Sequence, residues 1–146
     1  MIKIVRWEPF PKMKNVALYC EGLIDDWEGF RILLKGNKTP MYRLLFQNPY
    51  FYQNRDEEYF LIDTPSEGTY EVPYPFYKIE NSELLERFHL ESVGICRNFN
   101  ITHYAIYSGN DCIDILSVEE PIAEVLGDDS FLSSRADADE GNGGET

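Results

Sequence analysis

The sequence predicts a single α+β domain, in which an antiparallel sheet packs against one or two helices, with a disordered acidic tail. Three features predict this class: short β-prone runs between turn signals, one amphipathic helical segment, and a near loss of apolar residues after Gly127. A length of 146 residues suits one domain, and the 14% of aromatic residues can fill its core. We therefore expect residues 1–126 to be globular and residues 127–146 to be disordered.

The first half of the chain reads mainly as strands and turns. The expected segments are residues 1–14 (an arm or short edge strand), 16–23 (a strand), 25–29 (a turn) and 30–47 (a hairpin whose connection contains Gly, Asn and Pro). Residues 50–60 have β-prone ends around a charged middle, and residues 64–68 read as a loop. Pro73 and Pro75 favour an edge position for the strand that ends at Ile79, because proline cannot donate to a ladder.

The clearest helix begins after Asn81 or Ser82, either of which can serve as the N-cap. Glu83 lies favourably in its first turn, and apolar side chains recur on one face. Gly94 is a suitable C-terminal stop.

A second hairpin is expected after this helix. Residues 101–107 and 112–116 are apolar and β-prone, and they flank a Ser-Gly-Asn-Asp turn. A short helix starting at Asn110 is the alternative. A last short element begins at residues 119–121 and ends near Leu126.

The charge balance limits the class of partner. The chain has 26 acidic and 13 basic residues, for a net charge of −13, and residues 1–126 alone carry −8. Nucleic-acid affinity depends on Lys and Arg neutralising phosphates, so nucleic acid and anionic membrane are poor partners. A basic protein would be attracted at long range.

Cysteine usage and hydropathy suggest a soluble protein of a reducing cytoplasm. Cys20, Cys96 and Cys112 are an odd number without C-x-x-C spacing, and each reads as a small, mostly buried residue. No apolar run approaches the length of a membrane span, and the N-terminus lacks the pattern of a signal peptide.

No catalytic or cofactor-binding motif occurs, so we expect no cofactor and no metal, and favour a binding protein over an enzyme. The adjacent carboxylates of residues 25–26, 56–58 and 119–120 read mainly as solvated loops. An enzymatic alternative would combine His89 or His103 with Asp111 or Asp114 in a pocket. Structural roles are favoured for both histidines, Asp111 is expected in a turn, and Asp114 is expected to face water.

Acidic and aromatic residues alternate in two places, and this pattern suits a protein–protein interface. The alternative is that these aromatic residues belong to the core and the acids are their exposed neighbours. The candidate partner-binding residues are Asp25, Asp26, Trp27 and Glu28 in the first place, and Asp56, Glu57, Glu58 and Tyr59 in the second.

A resemblance covers a little over a quarter of the chain, between Ser82 and Pro121. The residues that carry it are 82–88 of the helix, the strand 103–107 with its His-Tyr start, the segment 110–116 with its Asn-Asp start, and Glu120-Pro121. In these segments the chain resembles small acidic bacterial proteins, some of them encoded beside polymorphic or Rhs-type toxins. The resemblance implies an immunity protein that binds its toxin, and it assigns no catalytic residues.

A third hypothesis is a structural or adaptor subunit. In that case the chain would form a homodimer through the expected edge strand at residues 73–79. We therefore expect a monomer or a weak homodimer.

Overall fold

Nine strands and one helix are formed by the residues that the structure, a computed structural model, describes: 2–13, 15–56, 74–109 and 111–126. In chain order they are β1 (Lys3–Arg6), β2 (Leu18–Asp26), β3 (Gly29–Gly36), β4 (Met41–Phe46), β5 (Phe51–Asp56), β6 (Phe76–Glu80), α1 (Glu83–Glu91), β7 (Thr102–Tyr107), β8 (Asp111–Ser117) and β9 (Ile122–Val125). The expected loop at 64–68 and the expected disordered tail at 127–146 lie outside the described residues.

The strands form two antiparallel sheets. One has five strands in the order β1-β6-β7-β8-β5, and the other has four in the order β2-β3-β4-β9. The hairpin expected at residues 30–47 is confirmed as β3–β4, and the second expected hairpin is confirmed as β7–β8. The segment after residue 110 is therefore a strand and not a short helix, and the last short element is β9.

The hydrophobic core lies between the two sheets. Contacts across it include Phe46 with Tyr104, whose ring centroids are 5.3 Å apart, and Phe30 with Tyr52, at 3.7 Å. Phe10 closes one end of the core by contacting Tyr42 of β4 and Phe76 of β6. The inward side chains are Phe30, Ile32, Leu34, Leu44 and Phe46 from the four-stranded sheet and Phe76, Tyr104, Ile106, Ile113 and Ile115 from the five-stranded sheet.

Helix α1 begins where the sequence predicts. The Ser82 hydroxyl caps it by accepting the Leu85 N–H at 2.9 Å, so Ser82 and not Asn81 is the N-cap. At the other end Gly94 has a φ of 74°, and its N–H donates to the His89 carbonyl at 2.8 Å. The helix contacts β7 on the face of the five-stranded sheet that is turned away from the core.

The expected α+β class needs correction. The antiparallel sheet and a helix packed against it are present, but the described chain is mainly β, with two sheets facing each other and one helix of nine residues. No helix among the described residues is long and apolar enough to cross a membrane.

The expectation of an edge strand near Ile79 is wrong. β6 lies inside its sheet, because β1 pairs with one side of it and β7 with the other. Pro75 precedes the first residue of β6, so the strand itself contains no proline and can bond on both sides. β1 is instead one of the two edge strands of this sheet, as the sequence allowed for residues 1–14. Within the described part of residues 73–79, β6 offers no free edge for the expected homodimer.

Candidate functional site

The tip of the β2–β3 hairpin carries four of the candidate partner-binding residues. Asp25 and Asp26 end β2, and Trp27 and Glu28 form the connection to β3, so the turn is shorter than the expected 25–29. The Glu28 N–H donates to Asp26 Oδ1 at 3.0 Å, and Gly29 follows with a φ of 120°, a conformation that favours glycine.

Arg31 of β3 neutralises part of the charge at this tip. Its Nη2 lies 2.6 Å from Asp26 Oδ2, and its Nη1 lies 2.8 Å from Glu28 Oε1. Two carboxylates thus share one guanidinium group, and Asp25 adds a third acid to the tip without contacting Arg31. The tip keeps a negative charge while its shape is fixed.

Asp25 connects the tip to the other sheet. Its Oδ2 accepts the Tyr52 hydroxyl of β5 at 2.6 Å, and this hydrogen bond raises the pKa of Tyr52. The Tyr52 ring stacks on Phe30, the first core residue after the tip. The hairpin end is therefore held by both sheets.

Trp27 is the most exposed large apolar side chain among the described residues. It is 90% exposed, although the core nearby contains many aromatic side chains. The tip is ordered by Arg31 and Tyr52, so the position of Trp27 is set by the turn and not by contacts of its own ring.

Apolar side chains continue from the tip across the outer face of the four-stranded sheet. The strand register places Ile24, Arg31, Leu45 and Ile122 side by side on β2, β3, β4 and β9. Ile24 is 37% exposed and Ile122 is 44% exposed. On the neighbouring rung Arg43 forms an ion pair with Glu124. We call these residues, together with Trp27, the outer face.

The second acidic and aromatic group is only partly described. Asp56 ends β5, where it pairs with Asp111 of β8. Glu57, Glu58 and Tyr59 lie outside the described residues. The structure therefore brings Asp25, Asp26, Trp27 and Glu28 together and gives no contact between them and the second group.

A second constellation lies under α1, on the opposite side of the molecule's core. Ser82 Oγ is 2.7 Å from His103 Nδ1, and His103 Nε2 is 2.8 Å from Asp114 Oδ1. Asp114 Oδ2 is 2.7 Å from Arg55 Nη2, and it accepts the Gln53 Nε2–H at 3.0 Å. Strands β5, β7 and β8 and the N-terminus of α1 each contribute one or more of these groups.

The strand register explains why these groups meet. Asp114 pairs with Ala105 of β7 and Gln53 of β5, so its side chain lies on the same face as His103 and Arg55. The expectation that Asp114 faces water is wrong, since it is only 1% exposed. Its position inside the apolar run 112–116 was the available signal, because an acid in a strand buried on both faces needs partners.

A cavity of about 160 Å³ borders this constellation. Its walls combine polar groups with apolar side chains. The lining residues include the polar groups of Ser82, His103, Asp114 and Arg55 and the apolar side chains of Leu84 and Ile79. The enzymatic alternative required a histidine to lie with a carboxylate beside a pocket. His103 does so with Asp114, and His89 does not. The partner of Ser82 could not be read from the sequence, which marked this serine only as a cap.

His89 and the three cysteines belong neither to the hairpin tip nor to the constellation of Ser82, His103 and Asp114. His89 is buried in α1, and its Nδ1 has no hydrogen-bond partner in the described part of the chain. All three cysteines are free thiols; Cys112 is buried, and Cys20 and Cys96 are partly buried. Burial raises the pKa of the Cys20 thiol. Within the described ranges no three His, Cys, Asp or Glu side chains are grouped to hold a metal ion.

In comparisons with known proteins, no protein family, no curated protein and no solved structure matches the chain.

Proposed function

We propose that this chain is a cytoplasmic immunity-type protein that neutralises a bacterial toxin by binding it in a stoichiometric complex. The observation that carries the proposal is Trp27, a tryptophan that is 90% exposed on an ordered hairpin tip. Tryptophan is the residue type most enriched at energetic hot spots, and a rigid tip presents it with little loss of conformational entropy on binding.

The charge around Trp27 supports a basic partner. Asp25, Asp26 and Glu28 are its neighbours in the chain; Arg31 pairs with Asp26 and Glu28, so the three acids outnumber this one base. The whole chain carries −13, so a cationic toxin would be steered toward it. A nuclease is a suitable target class, since an acidic antidote can occupy the basic surface that would hold phosphate groups.

The outer face extends the contact beyond the tip. Ile24, Leu45 and Ile122 provide apolar area, while Glu124 and the tip acids provide a polar rim. Arg31 and Arg43 are both engaged with acids of this chain, which reduces their repulsion of a cationic partner. An apolar centre with a charged rim is the usual arrangement of a protein interface.

The test is co-expression of this protein with the product of the gene immediately upstream, scoring host survival and complex formation. We expect rescue and a one-to-one complex whose dissociation constant rises with salt. Trp27→Ala should raise the dissociation constant by at least about 30-fold, the size of a hot spot. Because Trp27 makes little contact, its loss should leave the fold intact.

Ile95→Ala is the matched control. Ile95 is 76% exposed, but it follows α1 on the far side of the five-stranded sheet. This variant should bind as the wild type does. Absence of toxicity and of any complex would remove the proposal, and equal binding by both variants would remove Trp27 from the interface.

A further inference from the structure

We infer that Ser82, His103 and Asp114 form a nucleophilic site that hydrolyses esters of short carboxylic acids, an activity beyond the proposed binding function. The two hydrogen bonds of 2.7 Å and 2.8 Å link a hydroxyl, an imidazole and a carboxylate in series. This series is the arrangement by which a serine hydroxyl is activated in acyl transfer.

The backbone places Ser82 as a nucleophile requires. β6 ends at Glu80, Asn81 adopts a left-handed φ of 57°, and α1 begins at Glu83, so Ser82 lies at a sharp strand-to-helix turn. A serine at such a turn presents its hydroxyl beside the first N–H groups of the helix. The Leu85 N–H donates to Ser82 Oγ itself, so Glu83 and Leu84 carry the N–H groups that have no partner within the helix. Those N–H groups can donate to the oxygen of a tetrahedral intermediate.

The carboxylate end of the series is held in place. Arg55 and Gln53 both contact Asp114 Oδ2, which leaves Oδ1 for His103. In the tautomer that this series requires, the His103 Nε2–H donates to Asp114 Oδ1, so Nδ1 carries the lone pair and faces the Ser82 hydroxyl. The two ring nitrogens are exchanged relative to the serine proteases, but each can serve as acceptor or donor in the neutral ring.

The cavity provides room for a small acyl group. Its volume of about 160 Å³ is roughly ten times what one water molecule needs. Ile4, Ile79 and Leu84 form apolar walls next to Ser82 and His103. These walls suit the methyl or propyl group of an acetyl or butyryl ester.

The reaction balances with water as the second substrate. Ser82 Oγ attacks the ester carbonyl carbon while its proton passes to His103 Nδ1, and the intermediate expels the alcohol, which takes that proton. Water then attacks the acyl-serine, giving its proton to His103 Nδ1, and the acid leaves as Ser82 regains a proton from the same nitrogen.

The experiment treats the purified full chain with a fluorophosphonate probe and, separately, with p-nitrophenyl acetate and butyrate. We expect the probe to label Ser82, as located by peptide mass mapping. The rate of ester hydrolysis by the wild-type chain should exceed the rate by the Ser82→Asn variant at least about 100-fold. Asparagine keeps the N-cap but lacks a nucleophile, so this variant separates chemistry from helix capping.

Two further variants sharpen the result. Ser92→Ala removes a hydroxyl at the other end of α1 and should keep both labelling and hydrolysis. His103→Asn should lower the rate of probe labelling and the rate of ester hydrolysis, each by at least about 100-fold. If the wild type is not labelled at Ser82, or hydrolyses both esters no faster than Ser82→Asn, the inference is overturned whether or not the chain binds a toxin.

Discussion

The Asp114 carboxyl group is almost fully buried, with only 1% of the residue exposed. The free energy needed to bury a carboxylate is offset only when the group is paired and hydrogen-bonded, and Asp114 has Arg55, Gln53 and His103 around it. These partners come from strands distant in sequence, with Gln53 separated from Asp114 by 61 positions. The sequence could show that an acid interrupts an apolar run, but not which side chains would satisfy it.

Replacing Asp114 by Asn should lower the free energy of unfolding by about 3 kcal/mol. The amide is similar in shape, but it removes the charge opposite Arg55 and turns N–H groups toward other donors. Urea denaturation of the purified protein at neutral pH measures the change.

Asp26→Asn is the control, because Asp26 is also paired with an arginine but is exposed. Its loss should change the free energy of unfolding by less than about 1 kcal/mol. Equal effects of the two substitutions would show that the network around Asp114 contributes no more to stability than a surface ion pair does.

At the scale of elements, the sequence predicts those features that depend on contacts between nearby residues, namely the ends of the helix and the hairpins. The N-cap, the stop at Gly94 and the two hairpins depend on neighbours within a few residues. The sequence limits the cap to Asn81 or Ser82, predicts the stop, and favours both hairpins, the second with a short helix as its alternative. The position of β6 depends on what pairs with it from the other end of the chain. Proline near the start of a strand favours an edge position, but Pro75 lies outside the ladder of β6.

The β2–β3 turn depends on Gly29. A Cβ there would lie 2.8 Å from Leu45 Cδ1 and 3.1 Å from the Phe46 carbonyl oxygen, at a φ of 120°. Gly29→Ala should therefore lower the free energy of unfolding by about 3 kcal/mol, since backbone strain and a steric clash add. The midpoint and slope of urea denaturation measure this.

Gly94→Ala separates strain from clash. Gly94 also has a positive φ, of 74°, but nothing lies within 4 Å of its Cβ position. Only the strain of about 1 kcal/mol is expected there. If Gly94→Ala lowered the free energy of unfolding as much as Gly29→Ala does, backbone strain alone would explain the need for glycine in the hairpin, without a clash against β4.

At the scale of the whole molecule, the core between the sheets contains buried tyrosines, and their hydroxyl groups resist ionisation. Burial raises the pKa of Tyr74 and of Tyr104 to about 12. An unfolded chain would ionise them near pH 10. The folded state therefore binds more protons between these values, and the associated stability is present below about pH 10 and is lost as pH rises toward 12.

We expect the free energy of unfolding to fall between about pH 10 and about pH 12, faster than in Tyr104→Phe. Urea denaturation at each pH gives the free energy, and absorbance of tyrosinate in the folded protein reports ionisation. Full ionisation of all tyrosines by about pH 10.5 without unfolding would contradict this account.

The division into two sheets is the part of the fold that the sequence could not show. A run of β-prone residues predicts a strand, but it does not specify which sheet the strand joins. β4 and β5 are neighbours in the chain and belong to different sheets, while β9 returns to pair with β4. Assignment of strands to sheets is set by burial over the whole core, which is why one sheet with helices was expected instead.

Three of the four edge strands, β1, β2 and β9, have features that discourage fibril growth. β1 and β9, each at the margin of a sheet, have only four residues. β2 is nine residues long, but the register between Cys20 and Gly22 skips Glu21, which interrupts its outer row of hydrogen-bonding groups. An incoming strand would find a bend and a carboxylate at that point. Deleting Glu21 would straighten this margin and leave it open to intermolecular β-pairing, so the extra residue helps the chain to remain dispersed at high concentration.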